Sequence, residues 1–260
     1  MRRCYTYDTC PAMKTVAIIP ARYASSRLEG KPLLDIAGKP MVQRVYEAAS
    51  QAELIDRVIV ATDDRRILDT VTDFGGEAEL TSTHHMSGTD RVAEVADRLH
   101  CDTVVNLQGD EPLMEPPLID ELIRPLLDDP GMYMASAQSP IRLGAHLTNP
   151  NIVKVVSDQD GYALYFSRSP IPYHFSSDQA AGSFLGFKHI GIYIYRKDFL
   201  MKLVKLDPSP LEKKERLEQL RVLENGYRIK LISTDYDAPA VDTPADLEQV
   251  REKIEQLEDA

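Results

Sequence analysis

Three cations, Arg22, Arg27 and Lys31, fall inside the stretch IPARYASSRLEGKPL (19–33), directly behind an apolar run. Guanidinium and ammonium groups donate charge-assisted hydrogen bonds to phosphate oxygens, so the set suits a polyphosphate. A solvated surface loop is the alternative, since charged loops are common there. Neither glycine-rich phosphate pattern is present: Gly30-Lys31 is followed by Pro32, and no Gly-x-Gly-x-x-Gly occurs in the stretch. A carboxylate with matching chemistry lies in QGDEP (108–112), where Asp110 is a suitable ligand for Mg²⁺, a cation held by one or two carboxylates together with phosphate oxygens. Taken alone, Asp110 also reads as an ordinary turn residue. A second carboxylate, Asp242, sits in AVDTP. Thr243 and Asp246 are explained there by helix capping, but Asp242 precedes the cap. In SGTDR (87–91), Ser87 and Gly88 put free backbone N–H groups at a helix start, which suits an anion or polar group, with plain N-capping as the simpler alternative.

The elements that would position these residues alternate. TVAIIP (15–20), RVIVAT (57–62) and DTVVNL (102–107) read as buried strands. PMVQRVYEAAS (40–50), DRRILDTVTDFGG (64–76) and TDRVAEVADRL (89–99) read as amphipathic helices. This alternation predicts βαβ units, a mostly parallel sheet, and ligands at the carboxyl ends of its strands, where the candidate residues fall. From about residue 131 to 205 the texture becomes strand-rich and predicts a second, more antiparallel lobe within a single domain spanning 13–260. The segment SPLEKKERLEQLRVLENG (209–226) predicts one helix opened by a Ser209–Glu212 capping box, and VDTPADLEQV predicts a terminal helix capped by Thr243.

The bulk properties exclude several classes. With 30 Lys plus Arg against 41 Asp plus Glu and a net charge of −11, the chain lacks the basic character of a nucleic-acid binder. No apolar run reaches the roughly 20 residues of a membrane span. Residues 1–12 read as a disordered or artefactual lead before Met13. Cys4, Cys10 and Cys101 make no metal-ligand spacing and read as reduced thiols.

Eight stretches occur in an order that resembles the 3-deoxy-manno-octulosonate cytidylyltransferases, or CMP-Kdo synthetases: IIPARYASSRLEGKPL, SGTDR, NLQGDEP, NPNIVKVV, YALYFSRSPIP, HIGIYIYR, PSPLEKKERLEQLRVLENG and VDTPADLE. The resemblance runs from about Lys14 to Lys253. It implies a Rossmann-like nucleotidyltransferase fold of the α/β class, with helices on both faces of the sheet and an antiparallel lobe used for dimerisation. It implies that CTP and Kdo react to give CMP-Kdo and pyrophosphate for lipopolysaccharide assembly. It also implies Mg²⁺ as cofactor, a cytoplasmic location and a homodimer.

On this resemblance, Arg22, Arg27 and Lys31 hold the triphosphate, Asp110 and Asp242 hold Mg²⁺, and Ser87 and Gly88 contact the cytidine side. Arg91 supports the phosphates or pairs with its own helix. The sugar pocket carries over to Gln108, Arg168, His189, Tyr193, Glu218 and Gln219, with Arg168 as a bidentate clamp for the sugar carboxylate. Without the resemblance, Glu218 and Gln219 read as an exposed helix face, and His189 and Tyr193 as core residues with satisfied polar tips. The alternatives are a cytidylyltransferase for a related acid sugar, such as 8-amino-Kdo or a sialic acid, and a nucleotide-binding regulatory module without catalysis.

Overall fold

The computed structural model describes residues 14–24, 28–173, 184–237 and 240–258. Arg27 and the lead at 1–12 lie outside them. The first half of the chain runs β1 (Thr15–Ala21), β2 (Asp35–Ile36), β3 (Lys39–Pro40), α1 (Met41–Ser50), β4 (Arg57–Thr62), α2 (Arg65–Asp73), β5 (Ala78–Leu80), α3 (Gly88–Asp97), β6 (Thr103–Asn106) and α4 (Pro116–Asp128). The second half runs β7 (Met134–Ile141), α5 (Gly144–Thr148), β8 (Lys154–Ser157), β9 (Ala163–Ser167), β10 (Gly186–Arg196), α6 (Lys197–Leu203), α7 (Pro210–Glu215), α8 (Gln219–Glu224), β11 (Lys230–Ser233) and α9 (Pro244–Glu258).

Among the described residues nine strands form one sheet, whose main path is β11-β7-β10-β6-β1-β4-β5. β1 pairs in parallel with β4 and β6, and β4 with β5. β1, β4 and β6 are largely apolar and buried because helices cover both faces of the sheet there. On one face α1, α2 and α4 deliver Val45, Val71 and Leu122 to the core. On the other, α3, α6 and α8 deliver Val95, Leu200 and Leu220. β10 is antiparallel to β6, β7 and β8. Residues 131–205 therefore supply the antiparallel strands of the same sheet, with the β8–β9 pair hung on β10.

Two details set up the site. Leu247, Val250 and Ile254 of α9 pack on Ile36 and Met41, which tethers the C-terminal helix beside the loop that follows β1. The helix expected over 209–226 is broken: α7 ends at Glu215, Arg216 takes a left-handed conformation (φ 55°), and α8 begins at Gln219. The Glu215 carboxylate causes the break, since it is drawn to the Ser167 hydroxyl (2.8 Å) and the Arg168 backbone N–H (3.0 Å). The break turns Glu218 and Gln219 toward the sheet instead of leaving them on an outer helix face.

Candidate active site

Because β1 and β6 are parallel neighbours, the loops that follow them leave the sheet at the same edge. The first loop is closed by the Gly30 N–H donating to the Tyr23 carbonyl at 3.0 Å, with Gly30 at φ 66°, where a side chain would be strained and would meet the Tyr23 ring. The guanidinium of Arg66 lies 3.3 Å from the centre of that ring, bracing it from α2. A short 3₁₀ turn over Lys31–Leu33 then aims Lys31 at the second loop. There Gly109 approaches β1 so closely that a Cβ would sit 3.2 Å from the Pro20 carbonyl oxygen; the glycine serves loop-to-strand packing.

Asp110 and Asp242 lie far apart in sequence and meet at one ammonium. Lys31 Nζ donates to Asp110 Oδ2 at 2.7 Å and to Asp242 Oδ1 at 3.2 Å. The Val241 N–H donates to the Asp110 carbonyl (2.9 Å), which locks the two loops together. Asp242 is held from behind, since its own N–H and that of Thr243 both donate to the Asp246 carboxylate, at 3.0 and 2.8 Å. The capping residues therefore also fix the aspartate that precedes them.

Two cavities open at this edge. The smaller, of about 310 Å³, is bordered by Arg22, Lys31, Ser87, Arg91 and Asp110. The larger, of about 850 Å³, is bordered by Glu111, His189, Tyr193, Glu218 and Gln219. Gly88, Gln108 and Asp242 border both. The cation set and the polar pocket set thus fall into adjoining spaces with the paired aspartates at the boundary.

Individual side chains differ in how free they are to act. Arg22 is exposed on the smaller cavity. Arg91 is buried and donates to Asp63 at 2.8 Å and to the Thr81 hydroxyl. The Ser87 hydroxyl accepts from the Asp90 N–H at 3.1 Å, an N-cap of α3. Burial pushes the Glu218 carboxyl up, against hydrogen bonds from Thr89 and Ser87. His189 shares a 2.7 Å hydrogen bond with the Ser136 hydroxyl, and burial pushes it down to about 3, so it stays neutral. Its ring lies 5.3 Å from that of Tyr193, closer than four residues of regular strand would bring them, and β10 has an irregularity between Ile190 and Tyr193.

Arg168 is not brought to either cavity. Its guanidinium donates to the carbonyls of Glu215 (2.9 Å), Pro150 (2.9 Å) and Arg216 (3.4 Å). It ties the α7–α8 break to the end of β9. Arg168→Ala is therefore expected to lower Tm by roughly 5 °C, from about 2 kcal/mol of lost charge-assisted bonds, while sugar KM stays within about twofold. A raised sugar KM at unchanged Tm would return Arg168 to the pocket.

Three pocket residues had weaker sequence signals. Lys188 and Asp237 form an ion pair on the wall of the larger cavity. A lysine within the apolar strand ending HIGIYIYR was the visible sign of the first. Glu111, only 8% exposed, lies under the same cavity. Burial, with the negative charge of Asp110, raises its carboxyl from 4.5 to about 7. The folded state thus holds this proton more tightly than the unfolded chain. Its stabilising effect is complete below pH 4.5 and is lost as pH rises to about 7, a change on the order of 3 kcal/mol. Thermal melts in EDTA from pH 4 to 8 should show Glu111→Gln gaining on the wild type across that window. Parallel curves for the two proteins would contradict the raised value.

The family model described as "Cytidylyltransferase" matches residues 16–231. The chain is 55% identical to the 3-deoxy-manno-octulosonate cytidylyltransferase of Geotalea uraniireducens, over 93% of this chain and 99% of the relative. It is 53% identical to that of Geobacter sulfurreducens, over 93% of this chain and 100% of the relative. A solved structure of CMP:2-keto-3-deoxy-manno-octonic acid synthetase complexed with CTP superposes with a TM-score of 0.88 at 46% identity, over 94% of this chain and 99% of that one. The 4-diphosphocytidyl-2C-methyl-D-erythritol synthase of Anaerococcus prevotii, at 15% identity and a TM-score of 0.59, shares the fold. Among the described residues no helix is long and apolar enough to cross a membrane.

Proposed function

The chain belongs to the 3-deoxy-manno-octulosonate cytidylyltransferase family, and we propose that it couples Kdo to the cytidylyl group of CTP, forming CMP-Kdo and releasing pyrophosphate. The observation that carries this reading is the meeting of two unlike cavities at Gln108, Gly88 and Asp242. A cation-bordered space suits the nucleotide, and a space rich in hydroxyl-pairing side chains suits the sugar acid.

In this reading the anomeric hydroxyl of Kdo attacks the α-phosphorus of CTP. A new O–P bond forms, the bridging bond to the β-phosphorus breaks, and pyrophosphate carries the electrons away. Both substrates are anions, so the site must neutralise and align them. Arg22 and Lys31 hold the triphosphate, with Arg27 assigned to the same loop. Gly88 and its neighbours hold the cytidine. Gln108, Glu218 and Gln219 hydrogen-bond the sugar hydroxyls. Neutral His189 and Tyr193 form the sugar's floor.

Asp110 and Asp242 suit Mg²⁺, because they already share one cation, the Lys31 ammonium. When bound there, the ion would neutralise charge on the phosphate oxygens. Lys31, which also borders the smaller cavity, would then be placed to pair with the phosphates. We assign the protein to the cytoplasm, where CTP is available, and to a homodimer formed through the surface that exposes Leu164, Tyr173 and Phe184.

The test is pyrophosphate release from CTP in Mg²⁺ buffer with Kdo, 8-amino-Kdo or a sialic acid. Kdo should give the highest kcat/KM by at least about tenfold. Faster turnover of either other sugar would redirect the assignment to that acid.

A further inference from the structure

We propose that Lys188 anchors the carboxylate of the acid sugar, and that Asp237 occupies this anchor until the sugar enters. This rests on the reading of the larger cavity as the sugar site. The starting observation is a charge imbalance. Its described border carries the carboxyl groups of Glu111, Glu218, Asp237, Asp242 and Asp246. Among the described residues, Lys188 is its only lysine or arginine, and His146 and His189 are its histidines. Even with the Glu111 and Glu218 carboxyls pushed up by burial, an anion entering without a cationic partner would face the carboxylates of Asp237, Asp242 and Asp246. His189 does not supply the charge, since burial holds it neutral. Arg168 does not border the cavity, and its guanidinium is bonded to the carbonyls of Glu215, Pro150 and Arg216.

The ion pair itself has the form of a replaceable contact. Lys188 stands on β10, paired on both sides by β7 and β8, and its side chain is only 13% exposed. Asp237 lies on the segment after β11, and its side chain is 65% exposed. The lysine is fixed by the sheet, whereas the aspartate, the exposed partner, can swing into water and be solvated there. A sugar carboxylate can therefore take the Asp237 position without moving the sheet. Burial pushes the Asp237 carboxyl up, and the Lys188 hydrogen bond and charge more than offset this, so the anchor accepts a carboxylate in its ionised form.

The location also fits the chemistry. In Kdo the carboxylate and the attacking hydroxyl are on the same carbon, so the anchor must lie near the boundary between the cavities. The Lys188 charge is felt at Glu111, the residue that follows Asp110. A Cβ on Gly191 of the same strand would be 3.7 Å from both Gln108 Cγ and Glu111 Oε1. β10 thus packs against the Gln108–Glu111 loop, three residues on from Lys188.

The experiment compares Kdo with its C1 carboxamide, which keeps the attacking hydroxyl and loses the charge. Wild-type enzyme should prefer the acid by about ten- to a hundred-fold in kcat/KM, the scale of a charge-assisted bond. Lys188→Met should erase that preference, with CTP KM and Tm near wild type, and Lys188→Arg should restore part of it. Asp237→Asn should lower the KM for Kdo, because the resident competitor loses its charge. Retained acid preference in Lys188→Met, or a raised Kdo KM in Asp237→Asn, overturns the anchor while leaving the cytidylyltransferase reading intact. Wild-type enzyme that turns over neither sugar overturns that reading and the anchor with it.

Discussion

Asp110→Asn and Asp242→Asn are each expected to lower kcat by on the order of a thousand-fold, the scale of several kcal/mol lost when a cation-holding carboxylate at a phosphoryl centre is neutralised. The two aspartates converge on the Lys31 ammonium at the boundary of both cavities. Removing one charge leaves a site that still seats a cation but holds it less well. The same substitutions should hardly change stability. The side chains of Asp110 and Asp242 are 31% and 39% exposed, and half-exposed ion pairs contribute about 0–1 kcal/mol. Melting curves within about 3 °C of wild type should therefore accompany the loss of turnover. Wild-type kcat in either variant at millimolar Mg²⁺ would remove that aspartate from the site.

The second large effect is on nucleotide choice. CTP should exceed UTP by on the order of a thousand-fold or more in kcat/KM, because a site that pairs a specific donor leaves its own groups unpaired when that donor is missing. ATP and GTP should be excluded further by size, as the smaller cavity measures about 310 Å³. If main-chain groups beside Gly88 hold the base, as proposed, their directions are fixed by the start of α3, and fixed groups would not re-pair with uracil. Comparable kcat/KM for CTP and ATP would point to a general nucleotide site.

What the sequence disclosed follows physical lines. β1, β4 and β6 were legible because strands buried on both faces must be continuous apolar runs. Asp242 was legible as a surplus, a carboxylate left over once Thr243 and Asp246 were assigned to capping. Its meeting with Asp110 depended on α9 packing against Ile36 and Met41, and no local pattern encodes that. The break at Arg216 was hidden because the helix was read from its start, the Ser209–Glu212 capping box, which marks where a helix begins and not where it is interrupted. The cause is tertiary, the capture of Glu215 by Ser167 and Arg168. The bonds of Arg168 were hidden for a related reason, since backbone carbonyls leave no mark on residue type. Glu111 read as a loop residue beside Asp110, and only its burial shows that its charge is costly.

The central claim is that the sugar's own hydroxyl displaces pyrophosphate at the α-phosphorus, where the two cavities meet. It is tested most directly by running the reaction with CTP labelled at either the α- or the γ-phosphate and separating the products. The α-label should move into a cytidylyl-sugar conjugate and the γ-label into pyrophosphate, in equal amounts and only when Kdo is present. Transfer of the γ-label to the sugar, or release of either label at the same rate without sugar, would contradict it.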